Sequence, residues 1–74
     1  MSVELNRVYR NAAGTLDVRV VEHPAYRRRP TEARYYVEVS PAGAGRWQRV
    51  GYANSFEQAV RMLENYLRQT DLPR

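Results

Sequence analysis

The sequence predicts an α+β domain: a small antiparallel sheet of three or four strands, with one C-terminal α-helix packed across one face. Three observations predict it. Apolar and polar residues alternate in "TLDVRVVEH" and "RYYVEVS", the period of half-buried strands. Connections rich in proline and glycine, "PAYRRRPTEA" and "PAGAG", separate the short runs. One stretch of helical period, "SFEQAVRMLENYL", follows the last run. With 74 residues there is room for a single domain, 1–74.

The elements follow in order. Leu5, Val8 and Tyr9 suggest an opening strand over roughly 5–10, and "NAAG" is a turn in which Gly14 is free to take positive φ. The second strand, roughly 15–22, sends Leu16, Val18 and Val20 one way and Asp17, Arg19 and Val21 the other. A long basic connection leads to a third strand at roughly 34–40, with Tyr35, Val37 and Val39 on one face and Tyr36 and Glu38 on the other. "PAGAG" has the chemistry of a hairpin loop, and "RWQRVGY" makes the last strand, roughly 46–52, with Gly51 at its exit. Asn54 or Ser55 caps a helix over roughly 55–69. Its apolar stripe is Phe56, Ala59, Val60, Leu63, Tyr66 and Leu67; Glu57–Arg61 and Glu64–Arg68 stand in favourable i,i+4 order on the far side.

One helix covers one side of such a sheet, so the other side is left open. With Val50 inward, period-two alternation places Gln48 inward and turns Trp47 and Arg49 out. A bulge that shifts this register would instead bury Trp47. In the simple register the open face carries Asp17, Arg19, Tyr36, Glu38, Trp47 and Arg49, with Arg27, Arg28 and Arg29 beside it. Arginines interleaved with aromatic rings suit nucleic acid, the cations meeting phosphates or guanine edges and the rings packing on sugars or bases. The same residues also suit cross-strand pairing, Arg19 with Glu38 or Arg49 with Asp17.

Composition narrows the chemistry. All 12 basic residues are arginine, against 8 acids, for a net charge of +4. Arginine favours planar, bidentate contact with phosphate or carboxylate. Cysteine is absent and His23 is the only histidine, read as a loop residue at a strand end. Thiolate metal sites, thiol nucleophiles and a histidine pair are therefore out of reach, no metal or cofactor is expected, and the chain is read as a binding protein, not an enzyme. "PAGAG" precedes no helix and so lacks the context of a phosphate cradle. No run of about 18 apolar residues occurs, and "MSVELNRVYR" lacks the layout of a signal peptide; the expected location is the cytoplasm, without a membrane partner.

The segment "YRRRPTEARYYVEVSPAGAGRWQRVGYANSFEQAVRMLENY", roughly 26–66, resembles the ethylene-response-factor type DNA-binding domain and its relatives, the N-terminal domains of tyrosine recombinases. Its arginines before Pro30, Glu38 in the second matched strand, and Gly51, Asn54, Ser55, Glu57, Ala59 and Arg61 carry the resemblance. The resemblance implies three strands packed on one helix, with the sheet lying in the major groove of DNA. Trp47 and Arg49 stand in the reverse of that family's order, its glycine within the arginine motif is missing from the contiguous Arg27–Arg29, and the N-terminal hairpin has no counterpart there.

Together these features lead to the expectation of a small basic protein that binds duplex DNA. Its binding residues are Arg19, Arg27, Arg28, Arg29, Tyr36, Trp47 and Arg49. The alternative is a protein–protein interaction module using the same face, of the kind found among antitoxins and phage or mobile-element inhibitors. A homodimer through a sheet edge is compatible with either.

Overall fold

A computed structural model describes residues 2–23 and 34–69. Four antiparallel strands lie in the order of the chain: β1 (Tyr9–Arg10), β2 (Leu16–Glu22), β3 (Tyr35–Pro41) and β4 (Gln48–Ala53), followed by helix α1 (Phe56–Leu67). The helix packs against β2, β3 and β4, so the expected architecture is the observed one. The strands expected at 5–10 and 46–52 begin or end elsewhere. β1 is shorter because Asn6 takes a left-handed φ of 67° within a turn closed by Arg7 N–H on the Glu4 carbonyl. β4 starts later and runs past Gly51 to Ala53.

The core forms where the apolar period said it would. Val18, Val20 and Val37 are fully buried from the sheet, and Ala59 and Leu63 from the helix. Tyr35 joins them and meets the Phe56 ring edge-on, with centroids 5.6 Å apart. Each fully buried valine or leucine side chain contributes about 1.5–3 kcal/mol of transfer free energy. Val3 adds a further buried contact ahead of β1. Between the two hairpin ends, buried Asn11 ties the first turn to the helix. Its carbonyl oxygen accepts the Thr15 and Leu16 N–H groups at 2.9 and 3.0 Å, and its amide donates to the Gln69 carbonyl at 3.2 Å.

The helix begins at Ser55, not Asn54. Ser55 has an extended backbone and its hydroxyl accepts the Gln58 N–H at 3.1 Å. The Gln58 side chain reaches back to the Asn54 N–H, so both candidates take part in one reciprocal cap. At the other end the Arg68 guanidinium donates to the Asn65 side chain, and the Arg68 backbone N–H donates to the Glu64 carbonyl.

The register of β4 turns on a bulge. Val37 faces Gly51, but Glu38 faces Arg49, which leaves Val50 as the extra residue. Val50 packs against the core cluster and Gly51 is buried beside it, so two consecutive residues face the helix. A Cβ at Gly51 would meet the Met62 methyl group, so a larger residue there would require the flexible Met62 side chain to move. Past the bulge the alternation is reversed: Tyr52 lies opposite Tyr36 on the outer side, and buried Ala53 lies opposite Tyr35 on the inner side. Before it, Arg49 and Trp47 are outward. The bulge therefore does the opposite of burying Trp47. It lets Gly51 and Ala53 face the helix while Trp47 and Arg49 stay out. Gln48, opposite inward Val39, is exposed at the rim.

Among the described residues, no helix is long and apolar enough to cross a membrane.

Candidate functional site

The outer face of the sheet is organised around one carboxylate. Glu38, in the middle of β3, is only 8% exposed although it faces away from the helix. Its Oε1 accepts from Arg19 Nε at 2.9 Å across the β2 side, and its Oε2 accepts from Arg49 Nε at 3.4 Å across the β4 side. The strand register makes this sharing unavoidable, because Arg19 and Arg49 are the residues directly opposite Glu38 on the two neighbouring strands. Asp17 takes the next cation along: Arg10 Nε and Nη2 bind its two oxygens at 2.9 and 3.4 Å. Of the two cross-strand pairings that the sequence allowed, Arg19–Glu38 forms, whereas Arg49 turns to Glu38 and leaves Asp17 to Arg10.

Both guanidinium groups held by Glu38 lie over an aromatic ring. Arg19 sits 4.1 Å above the Trp47 ring and Arg49 sits 4.0 Å above the Tyr36 ring. Such stacks contribute about 0.5–1 kcal/mol when exposed and more when desolvated. Tyr36 is the floor of the arrangement. It is buried beneath Arg49, meets Tyr52 at 5.1 Å and 80°, and lies 4.9 Å from the His23 ring. The long arginine side chains thereby cover ring surface over which no helix of the described residues lies.

Asp17 has a second duty. Its Oδ2 also accepts the Gly43 N–H at 2.9 Å, which fixes the β3–β4 turn against β2. Gly43 and Gly45 both have positive φ in that turn, and fully buried Ser40 accepts the Arg46 N–H at 2.9 Å. The strand that bears Trp47 and Arg49 is thus launched from a pinned turn. The hydrogen bonds from Arg10 first, and from Gly43 second, hold the Asp17 carboxyl below the ordinary aspartate range.

Of the binding residues expected from sequence, the structure brings Arg19, Tyr36, Trp47 and Arg49 together on one surface. Arg27, Arg28 and Arg29 lie outside the described residues. Three participants were missed: Glu38 as the shared acceptor, Arg10 as the partner of Asp17, and Tyr52 as an outward ring. Alternation along "YYVEV" already put Glu38 outward beside Arg19. Nothing local to "RVGY" marks the bulge that turns Tyr52 out.

The charge of the described residues is unevenly placed. They hold eight arginines and six carboxylates. Arg7 pairs with Glu4, and Arg34 lies 3.9 Å from Glu22. On the helix Arg61 and Arg68 are matched by Glu57 and Glu64. The excess sits on the outer face and its turn, where Arg10, Arg19, Arg46 and Arg49 stand against Asp17 and Glu38. Among the described residues, no group of three or more histidine, aspartate or glutamate side chains could hold a metal ion.

Comparison of the chain with protein-family models, with curated proteins and with solved structures finds no match in any of the three. The functional reading therefore rests on the residues and their geometry.

Proposed function

We propose that the protein binds nucleic acid, and duplex DNA in particular, through the outer face of its sheet, with no catalytic step. The observation that carries this reading is the location of the positive excess at Arg10, Arg19, Arg46 and Arg49. An anionic polymer is the partner that such a surface attracts. Glu38 contributes order. Arg49 reaches it through Nε, so among the described residues its terminal amino groups are unspent, and the guanidinium lies 4.0 Å from the Tyr36 centroid. A guanidinium presented edge-on in this way suits a phosphate or the guanine O6/N7 pair.

The test is a fluorescence-anisotropy titration with a random-sequence duplex, a single strand and an RNA, each at two salt concentrations. Duplex binding that weakens as salt rises, with a log–log slope on the order of −3 for three or four phosphate contacts, is the expected result.

A second reading, a protein-binding module or small inhibitor docking through the same face, is favoured by the acids among the cations. Arg19 and Arg10 are paired with Glu38 and Asp17, and mixed charge with an exposed tyrosine is also the make-up of protein hot spots. Absence of binding to all three nucleic acids at low salt would select it.

A further inference from the structure

The rings on the outer face are not equally available. Trp47 is half-buried with Arg19 over its ring, and Tyr36 is buried under Arg49, so both are already engaged by a guanidinium. Tyr52 is not. It is 60% exposed, no guanidinium of the described residues lies over it, and its ring is braced by the T-shaped contact with Tyr36. It stands on β4, at the edge of the sheet.

Arg49 and Tyr52 share Tyr36 as a common support, one 4.0 Å and the other 5.1 Å from its centroid. A cation for a phosphate and an open ring for a base are thus held side by side, on the scale of one nucleotide. We infer that Arg49 and Tyr52 form a subsite for a single unpaired nucleotide, with the phosphate on the Arg49 guanidinium and the base stacked on the Tyr52 ring. This rests on the nucleic-acid reading above and extends it. Bases within a duplex are already stacked, so the subsite is filled only where the duplex ends in an overhang or is interrupted. With a single such braced, exposed ring among the described residues, it takes one base and does not track a long single strand.

The experiment compares a blunt duplex with a duplex that carries a one-nucleotide overhang and the same total number of phosphates, by competition anisotropy. The overhang duplex should bind about tenfold more tightly, the equivalent of roughly one base–aromatic stack. Tyr52→Ala should abolish that preference, and Tyr52→Phe should retain it, because stacking needs the ring and not the hydroxyl. Tyr52 is exposed, so both variants should fold, and their circular dichroism checks this. Equal affinity of the two duplexes for the wild-type protein overturns the subsite, as does a preference that survives Tyr52→Ala. Failure of either duplex to bind at low salt overturns the nucleic-acid reading itself, and the subsite with it.

Discussion

On the helix side of the sheet, Val18, Val20 and Val37 lose solvent by packing on Ala59 and Leu63; on the other side, Tyr36 and Glu38 are nearly as buried with no helix of the described residues above them. The two faces reach similar burial by different physics. The inner face excludes water with aliphatic volume, so its energy scales with area and tolerates small shifts in position. The outer face is closed by arginine side chains lying flat over rings, each held by a carboxylate that two strands must bring into register. Its geometry is therefore less forgiving, while its surface remains charged and able to bind. A core can be hidden by either means, but only the second leaves cations on display.

The largest effect expected from breaking this contrast is on the inner side. Leu63→Ala removes a fully buried side chain at the centre of the helix stripe and should cost about 2–5 kcal/mol. Urea denaturation measures it, and a loss under about 1 kcal/mol would mean that the helix is not packed as described.

On the outer side, Glu38→Gln should destabilise by about 1–3 kcal/mol, since one charged acceptor serves two arginines. Its effect on DNA binding is more telling. Removing an acid raises the net positive charge, and electrostatics alone would tighten binding. If Glu38 orients Arg19 and Arg49, binding weakens instead, and the same titration reads the sign.

A smaller effect concerns Asp17. Its carboxyl titrates lower in the folded chain than in the unfolded one, so the ionised form contributes stability at neutral pH. That contribution is present above the unfolded value and is lost as pH falls below about 4 through the folded value. Thermal unfolding followed between pH 6 and pH 2.5 should show a steeper decline for the wild-type chain than for Asp17→Asn. Parallel curves would remove Asp17 from its role as the pin of the β3–β4 turn.

What the sequence made legible follows the same divide. Alternation and helical spacing are local, so Val18, Val20, Val37 and Leu63 could be placed in the core, and Ser55 near the start of the helix, from the string alone. Trp47 and Arg49 were assigned outward by counting from Val50, and they are outward, but for a reason that counting does not contain. An extra residue at Val50 lets Gly51 and Ala53 turn in as well. Gly51 lies beside Met62, a neighbour across the fold and not along the chain. Tyr52 was hidden for the same reason. The pairing of Arg49 with Glu38 instead of Asp17 likewise depends on which residues sit opposite across the sheet. Composition counted the charges, and only the register could say which carboxylate each arginine would find.

The most direct test of the account sets one arginine from each side of the molecule against the other. Arg49→Ala and Arg68→Ala remove the same charge, the first from the outer face beside Tyr36 and the second from the exposed end of the helix. Titrated against one duplex at one low salt concentration, Arg49→Ala should lose about tenfold in affinity or more, while Arg68→Ala stays within about twofold of the wild-type chain. Equal losses for the two variants would contradict the claim that the outer face is the binding surface.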